Sequence, residues 1–382
     1  MFKEIVRFIR SIYGEKEDFI PLHEPRFIGN ERKYVLDAID STFVSSVGQY
    51  VDLFEKMMAE ITGAKYAIAI VNGTNALHLA LEIAGVETND EVLTQPLTFI
   101  ATANAIKYAG ATPHFVDVDL DSMGISPEKL EKHLEAVNVI KDGICYNKNT
   151  GNKISACVPM HTFGLPSRID EIVAVCNRYH IPVIEDAAES LGSLYKKKHT
   201  GTYGLLSIFS FNGNKIVTSG GGGAIVTDNA ELAKKAKHLS TQAKIPHKWE
   251  YAHDTVGYNY RMPNINAALA CAQLEQLTKF VENKRELSDL YFNFFKKYKE
   301  VELVREIKEG ESNYWLNAIQ LENRKERDKF LKYTNDNGIM TRPIWKLMNK
   351  LEMFNNCPKS DLSNAKFLED RIVNITSSVR IK

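Results

Sequence analysis

From residue 64 onward, short apolar runs of strand length alternate with segments of helical period. Such an alternation is typical of a mostly parallel sheet that is covered by helices on both faces. In sheets of this kind, ligands bind beyond the carboxyl ends of the strands, so functional residues are expected there. The expected strands cover residues 66–71, 91–94, 112–118, 154–160, 181–186, 205–211 and 223–227. The expected helices cover 76–84, 99–108 and 168–179, with one more beginning at Ser126-Pro127.

A second pattern begins after residue 257. A long helix is expected from Pro263 toward residue 298, followed by strands at 314–321 and 338–343 with a helix between them. This order is typical of a smaller α+β unit.

A chain of 382 residues is longer than one ordinary core can accommodate, so we predict more than one domain. The predicted division is a large domain over residues 28–262 and a small C-terminal domain over 263–382. Residues 1–27 are predicted to form an N-terminal segment. It begins with an amphipathic helix that packs on the body or on a partner subunit.

The composition excludes several classes of protein. Lys plus Arg and Asp plus Glu number 48 each, so the net charge gives no indication of nucleic-acid or membrane binding. The five cysteines are scattered without metal-ligand or redox spacing, and we expect a reducing, cytoplasmic compartment and no metal. Charges interrupt the apolar residues of the first 13 positions, which is unlike a secretory signal or a membrane span.

One lysine stands out in this frame. Lys215 closes the segment FSFNGNK at 209–215, at the edge of an apolar strand, and a run of four glycines follows at 220–223. The glycines indicate a place where the backbone has no room for side chains. A lysine held away from water there suits a nucleophile that attacks carbonyl groups. Taken alone, however, most lysines are solvated surface charges.

Two other strand ends carry residues that suit a ligand. Gly73 and Thr74 follow the strand at 66–71 and begin a helix, where free amides, a hydroxyl and the helix dipole favour a phosphate. A plain capped helix is the alternative. Asp186 ends a buried strand, where a carboxylate needs a partner such as a protonated heterocyclic nitrogen. A helix cap is the alternative, and no histidine stands at ligand spacing to indicate a metal.

Two aromatic side chains follow strands as well. Phe99 is positioned to stack on a planar ring, or else belongs to the core. His161 either contacts substrate or is a satisfied structural histidine. Neither a G-x-G-x-x-G unit between strand and helix nor a G-x-x-x-x-G-K-[ST] loop is present, so the two common nucleotide-binding motifs are absent. Together, these residues suit a phosphorylated aromatic aldehyde. They comprise a helix start that can bind phosphate, an aromatic side chain that can stack on a ring, a carboxylate and a lysine.

The chain also contains a set of longer motifs: PLHEP at 21–25, FVSSVG at 43–48, NGT at 72–74, EDAAESLG at 185–192, SFNGNK at 210–215 and GYNYRMPNI at 257–265. With these motifs, the chain resembles the DegT/DnrJ/EryC1/StrS family of sugar aminotransferases, which depend on pyridoxal 5′-phosphate. The details are most similar to the LegC-like branch. The resemblance implies an α/β fold of fold-type I, like aspartate aminotransferase, with a large domain around a mostly parallel sheet and a smaller α+β C-terminal domain.

The resemblance implies roles for the residues around the cofactor. Lys215 binds the cofactor covalently and moves a proton between the cofactor carbon and the substrate carbon, and Asp186 keeps the pyridine nitrogen protonated. Phe99 stacks on the ring, and Glu189, where many relatives have glutamine, lies near the ring hydroxyl. The cofactor phosphate is held by Gly73, Thr74 and Ser210.

Other implied roles concern the subunit partner and the substrate. Asn259 reaches the cofactor phosphate of the neighbouring subunit, so that a homodimer shares its active sites. Arg261 meets a substrate phosphate or the carboxylate of the amino donor, and residues 45–48 approach the sugar.

The implied reaction transfers the amino group of L-glutamate to C4 of a UDP-linked 4-keto-6-deoxy N-acetyl sugar, as in bacillosamine-like and legionaminic acid-like pathways. The product is of the UDP-4-amino-4,6-dideoxy-N-acetylglucosamine type, and glutamate leaves as 2-oxoglutarate. The same chemistry on a GDP-linked or a 3-keto sugar is an alternative. A related dehydratase would have histidine in place of Lys215, and a non-catalytic regulator would be expected to lack Lys215 or Asp186.

Overall fold

The computed structural model describes residues 1–14 and 18–380. Its helices are α1 (Phe2–Tyr13), α2 (Glu31–Asp40), α3 (Gln49–Thr62), α4 (Gly73–Ile83), α5 (Ile100–Tyr108), α6 (Pro127–Val137), α7 (Ile169–Arg178), α8 (Ala230–Ser240), α9 (Asn264–Leu274), α10 (Leu277–Phe295), α11 (Arg324–Asp336) and α12 (Ser363–Glu369). Its strands are β1 (Tyr66–Ile70), β2 (Glu91–Thr94), β3 (Thr112–Phe115), β4 (Asn138–Lys141), β5 (Ile144–Asn147), β6 (Ile154–Val158), β7 (Ile184–Asp186), β8 (Leu194–Tyr195), β9 (Lys198–His199), β10 (Leu206–Ser210), β11 (Gly223–Thr227), β12 (Lys244–Ile245), β13 (Ala252–His253), β14 (Val301–Leu303), β15 (Gly310–Glu311), β16 (Asn317–Leu321), β17 (Arg342–Pro343) and β18 (Ile372–Ile375).

The central sheet is mostly parallel, as predicted. One part has the order β1-β11-β10-β7 and the other the order β3-β2-β6. Bridges from Cys157 to Val183 and from Met160 to Asp186 join β6 to β7 in parallel, so the two parts form one continuous sheet. Within it, β11 runs antiparallel to both of its neighbours. The helices cover both faces, which buries the strands almost completely.

Local sequence signals explain where several of these elements begin. The Asn72 side chain accepts a hydrogen bond from the Asn75 amide and thereby caps α4. Ser126 caps α6 in the same way, and Pro127 occupies the first helical position, where its missing N–H costs nothing. The capped start of α4 lies directly beyond the carboxyl end of β1.

A second, antiparallel sheet with the order β14-β16-β18-β17 lies in the C-terminal part. Helices α1, α10 and α11 cover it through a shared core that includes Ile5, Ile9, Tyr291 and Phe330. The amphipathic N-terminal helix therefore packs on the C-terminal sheet, and Phe8 stacks on Phe294 with ring centroids 4.0 Å apart. The domain limits at residues 27 and 262 stay a prediction, since α9 packs on α2 and α3 of the large body.

The long helix expected from residue 263 toward 298 is in fact two helices, α9 and α10, with a break at Glu275 and Gln276. Side-chain contacts hold the chain at this point. The Glu275 carboxylate accepts hydrogen bonds from Tyr34 and Asn30, and the Gln273 amide donates to the Arg26 carbonyl. Such contacts with residues far away in sequence cannot be inferred from helical period.

The structure also shortens several expected strands, and α2, α3 and α8 were not predicted. Only Arg342–Pro343 of the expected strand 338–343 pairs in a sheet, and β3 ends at Phe115 rather than at residue 118. None of the helices within residues 1–14 and 18–380 combines the length and the apolar character that crossing a bilayer demands.

Candidate active site

A cavity of about 550 Å³ lies at the carboxyl ends of β1, β7 and β10, where the central sheet faces the C-terminal sheet. It is lined by the predicted residues Gly73, Thr74, Phe99, Asp186, Glu189, Ser210 and Lys215. Asn259 is not among its lining residues. A larger groove of about 690 Å³ beside β14 contains none of the predicted residues, so the smaller cavity is the candidate site.

The start of α4 forms a close-fitting seat at one end of this cavity. The first backbone bond of this helix joins the Ala76 amide to the Asn72 carbonyl, and the Asn72 side chain takes the Asn75 amide. The amides of Gly73 and Thr74 therefore have no partner within the helix. A β-carbon on Gly73 would lie 2.8 Å from the β-carbon of Ser210, and one on Gly223 would lie 2.6 Å from the Asn72 carbonyl carbon. The glycine run therefore leaves room for backbone amides and a hydroxyl to reach a phosphate.

Asp186 ends β7 on the floor of the cavity and is buried. Its carboxylate accepts a hydrogen bond from the Thr102 hydroxyl at 2.8 Å and one from the Ala188 amide at 3.2 Å. Burial nevertheless raises the pKa of Asp186, against the lowering effect of these bonds and of the Lys215 charge. A cation placed beside this carboxylate would offset the cost of its burial.

Lys215 extends into the cavity from the turn after β10. Its Nζ lies 3.1 Å from Glu189 Oε1 and 4.1 Å from the centroid of the Trp315 ring. The Trp315 indole donates to the Asn214 carbonyl at 2.6 Å, which fixes the indole against the residue before the lysine. The Lys215 side chain is only 11% exposed. The amine is thus largely withdrawn from water, as the sequence predicted.

Glu189 is buried beside this amine. Its second oxygen accepts a hydrogen bond from the Phe163 amide at 2.9 Å. Burial raises the pKa of Glu189 in spite of the Lys215 charge nearby. The protonation state of this carboxyl group is therefore sensitive to what else occupies the cavity.

Several residues of the cavity were missed by sequence reasoning. Trp345 lies 5.0 Å from Phe163 and 6.4 Å from Phe99, measured between ring centroids, and these rings form an aromatic wall. Trp315, Arg342 and Asn374 also line the cavity. Phe99 was predicted, and of the residues that were missed, all but Phe163 come from the C-terminal part of the chain. Trp315, for example, is 100 positions from Lys215. The one available signal was the rarity of tryptophan, of which the chain has three.

Comparison with known proteins identifies the family of this chain. Residues 26–382 match the model of the DegT/DnrJ/EryC1/StrS aminotransferase family. The chain belongs to this family.

Individual relatives cover most of this aminotransferase. A GDP-perosamine synthase of Escherichia coli O157:H7 is 38% identical over 88% of the chain and 87% of the relative. The putative pyridoxal phosphate-dependent aminotransferase EpsN of Bacillus subtilis strain 168 is 38% identical over 88% of the chain and 84% of the relative. The crystal structure of an aminotransferase from Psychrobacter cryohalolentis superposes with a TM-score of 0.83 at 27% identity, covering 94% of this chain and 93% of that one.

These findings confirm the sugar aminotransferase family, the enzyme class and the fold-type I architecture. The predicted LegC-like branch is not confirmed, because the similar relatives include a GDP-perosamine synthase. Within the family, the finer position of this aminotransferase stays a prediction.

The donor set of the cavity fits pyridoxal 5′-phosphate, the cofactor of this aminotransferase. The seat at α4 suits the phosphate, and the buried Asp186 carboxyl suits a protonated ring nitrogen. Lys215 offers an amine that is shielded from water. Among residues 1–14 and 18–380, no group of three His, Cys, Asp or Glu side chains is arranged to hold a metal ion.

The other residues considered from sequence lie outside the cavity. His161 is buried with Nε2 3.0 Å from Glu185 and Nδ1 3.2 Å from the Ser167 amide, so it is a satisfied structural histidine. The Arg261 guanidinium donates to Asn259 Oδ1 at 3.1 Å on a separate, open surface. Residues 45–48 do not line the cavity either.

Proposed function

We propose that this sugar aminotransferase transfers the amino group of L-glutamate to C4 of a nucleotide-linked 4-keto-6-deoxy sugar, with Lys215 as the catalytic residue. The observation that carries this proposal is the position of the Lys215 amine. It lies in one cavity with Asp186 and with the seat at α4, and it is shielded from water. When bound there, pyridoxal 5′-phosphate supplies an aldehyde that condenses with amines and a ring that withdraws electrons from the reacting carbon.

In the proposed arrangement, Asp186 orients the ring by accepting a hydrogen bond from its protonated nitrogen. Thr102 and the Ala188 amide hold the carboxylate in place for this contact. Gly73, Thr74 and Ser210 bind the phosphate, and Phe99 covers the ring from the aromatic wall. Each of these residues lines the cavity, which supports the assignment.

Lys215 would move a proton between the carbon that bears the amino group of the donor and the reactive carbon of the cofactor. An amine serves this role because it is basic once it is free, and its withdrawal from water keeps the proton from exchanging with solvent. Glu189 Oε1, at 3.1 Å, orients the amine between these positions. The Trp315 ring, whose centroid is 4.1 Å from the amine, restricts it as well.

Two nucleotides are candidates for the sugar substrate. The LegC-like motifs favour a UDP-linked N-acetyl sugar. The name of the E. coli relative, a GDP-perosamine synthase at 38% identity, favours a GDP-linked sugar instead. In either case the nucleotide binds far from the reacting carbon, so it contributes orientation rather than chemistry.

We further propose a homodimer with shared active sites. Apolar side chains on α2 and in the loop that follows it are exposed, although large apolar patches are rarely left in water. These are Leu36, Ile39, Phe43, Val44 and Val47. In such a dimer, Asn259, which lies outside the cavity of its own chain, would contact the cofactor phosphate of the neighbouring subunit. The cytoplasmic location is also part of this proposal, and the five cysteines are buried and unpaired.

The test is a panel of UDP- and GDP-linked 4-keto-6-deoxy sugars, with and without a 2-acetamido group, incubated with L-glutamate and the enzyme. Mass spectrometry and NMR identify the product, and 2-oxoglutarate is assayed separately. We expect one nucleotide series to yield a C4 amine together with an equal amount of 2-oxoglutarate. A panel that yields no amine, or an amine at C3, would contradict the proposal.

A further inference from the structure

A pair of residues on the C-terminal sheet faces the same cavity. Arg342 of β17 and Asn374 of β18 are directly opposite each other in the antiparallel register. Cross-strand partners project from the same face of a sheet, so their side chains are neighbours. Both residues line the cavity that contains Lys215.

Neither side chain is satisfied within the protein. Asn374 is 4% exposed, and its Nδ2 has no hydrogen-bond partner. A buried amide without a partner costs free energy, so such groups in native proteins call for a ligand or water. The Arg342 guanidinium has no ion pair or hydrogen bond to any residue within 1–14 or 18–380.

The other charged residues that line the cavity differ from Arg342 in this respect. Lys215 is paired with Glu189, and Asp186 accepts hydrogen bonds from Thr102 and Ala188. Arg261, which the sequence suggested for anion binding, donates to Asn259 outside the cavity. Arg342 is therefore the cation of this cavity that is free, within the described residues, to meet an anion from outside.

We propose that Arg342 and Asn374 form the subsite for a carboxylate group of the amino donor. This inference rests on the proposed function and names the residues that recognise L-glutamate. A planar guanidinium and a neighbouring amide N–H together match the two oxygens of a carboxylate. The Asn374 Nδ2 would donate a directed hydrogen bond to one carboxylate oxygen, and the Arg342 guanidinium would supply the positive charge that attracts the carboxylate.

A nucleotide phosphate carries similar oxygens, but the location favours the donor carboxylate. The seat for the cofactor phosphate lies at α4, directly after β1 of the central sheet, whereas Arg342 belongs to the C-terminal sheet. The carboxylate of an α-amino acid is attached to the reacting carbon itself, so it must enter the cavity of Lys215. The phosphates of a nucleotide sugar are separated from C4 by the sugar ring.

The experiment measures the two half-reactions separately, by the change in cofactor absorbance after mixing the holoenzyme with either substrate. The variants are Arg342→Gln, Arg342→Lys and Asn374→Asp, and Arg324→Gln is the matched control because Arg324 is an exposed arginine that pairs with Asp370 away from the cavity. For Arg342→Gln we expect the half-saturating glutamate concentration to rise by about 10- to 100-fold, as expected for a lost charged hydrogen bond. The half-saturating nucleotide-sugar concentration should change by less than about threefold, which is the scale of a lost surface interaction.

Arg342→Lys should retain part of the affinity, since it keeps the charge but not the planar fork. Asn374→Asp should weaken the binding of glutamate more than its small change in shape suggests, because it places a second carboxylate next to the carboxylate of the donor. A second readout is the equilibrium binding of a non-reacting dicarboxylate, succinate, followed by the shift of the cofactor band. The same variants should bind succinate more weakly than the wild type does.

Each outcome has a defined meaning. Wild-type affinity for glutamate and succinate in Arg342→Gln would overturn the inference, as would a loss confined to the nucleotide-sugar half-reaction, which would indicate a phosphate subsite. If Asn374→Asp fails to fold, the exposed Arg342 variants carry the test, because their thermal midpoints should equal that of the wild type. Failure of the wild-type enzyme to react with glutamate would instead contradict the proposed function.

Discussion

At the scale of single residues, the proposed reaction depends on one amine, that of Lys215, with two different neighbours. Glu189 attracts the Lys215 amine and Trp315 restricts it, and both hold it at the edge of the cavity. Neither neighbour can replace the amine, because a carboxylate and an indole have no comparable nucleophile.

We predict that Lys215→Ala lowers the rate of amino transfer by at least about 10³-fold, the scale of a lost general base that is also the nucleophile. The fold should persist, because the residue removed is at the cavity surface rather than in the core. Initial rates of 2-oxoglutarate formation measure the effect, and Lys196→Ala, a surface lysine, is the control. Addition of a small primary amine should restore part of the activity, and near-normal turnover without it would show that Lys215 is not the catalytic residue.

A second prediction concerns Asp186, whose folded-state pKa is raised by burial. An ionised carboxylate with a raised pKa destabilises the fold at pH values above that pKa, and the penalty disappears as the pH falls through it. We therefore expect the cofactor-free Asp186→Asn variant to melt at or above the wild-type temperature near neutral pH, with a smaller difference in acid. Its activity should fall by about 10²- to 10³-fold through lost electrostatic stabilisation.

Thermal unfolding of the cofactor-free proteins across the pH range tests the first half of this prediction, and steady-state kinetics test the second. A variant that is clearly less stable than the wild type at neutral pH would show that Asp186 is structural. Full activity would show that the carboxylate does not serve the ring nitrogen.

At the scale of elements, a buried polar cluster joins strands β2, β3 and β5 to helix α6. Glu91 accepts hydrogen bonds from His114 at 2.8 Å and from Asn147 at 2.8 Å, and His114 Nε2 lies 2.6 Å from His133 Nε2. Burial raises the pKa of Glu91, but these hydrogen bonds outweigh it and hold the pKa below its ordinary value. Burial lowers the pKa of His133 to about 4.

The sign of the pH dependence follows from His133. The unfolded imidazole takes up a proton near pH 6.5 and the folded one only near pH 4, so stability falls as the pH drops between these values. On acidification, the free energy of unfolding should fall by about 1–2 kcal/mol less in His133→Gln than in the wild type. The figure is reduced because the His133 side chain is only half-buried.

The measurement is the thermal midpoint of the cofactor-free wild type and of cofactor-free His133→Gln, taken from neutral pH down to about the pKa of His133. The difference between the two midpoints at each pH gives the contribution of His133. The Glu91 contribution, which is lost only as the pH falls through its lowered pKa, should remain in the variant. Parallel stability curves for the two proteins would refute the assignment.

At the scale of the whole molecule, the two walls of the cavity come from separate parts of the chain. The central sheet supplies the seat, the carboxylate and the lysine, and the C-terminal sheet with its adjoining segment supplies Trp315, Arg342 and Trp345. The second wall is anchored to the first by backbone bonds, for example from the Met348 amide to the Pro96 carbonyl. A second subunit would complete the site in the proposed dimer.

Mixing two inactive variants tests whether the sites are shared. Lys215→Ala and Asn259→Asp dimers should each be strongly impaired, the latter because a carboxylate repels the phosphate. If Asn259 serves the neighbouring subunit, every mixed dimer contains one intact site, and random exchange of subunits should restore about a quarter of wild-type activity. If Asn259 acts within its own chain, mixing restores nothing. Light scattering before and after exchange verifies that the particles have twice the 43.2 kDa mass of the chain.

Most strands of the large domain could be predicted from the sequence, because local patterns in the sequence indicate where they lie. Strand period, helix caps and glycine runs are properties of single segments, and they located Gly73, Asp186 and Lys215 at strand ends that meet in one cavity. The acidic motif and the lysine motif also led to the family that the comparisons confirm.

What the tertiary structure alone decided are the contacts between segments that are distant in sequence. The break between α9 and α10, the aromatic wall around Trp345 and the unpartnered pair Arg342–Asn374 all depend on which surfaces meet after folding. A periodic pattern states which face of an element is buried, but it carries no information about the neighbour that buries it. The family and the enzyme class of this chain could therefore be predicted from local motifs, whereas the proposed recognition of its substrates depends on how the two walls of the cavity come together.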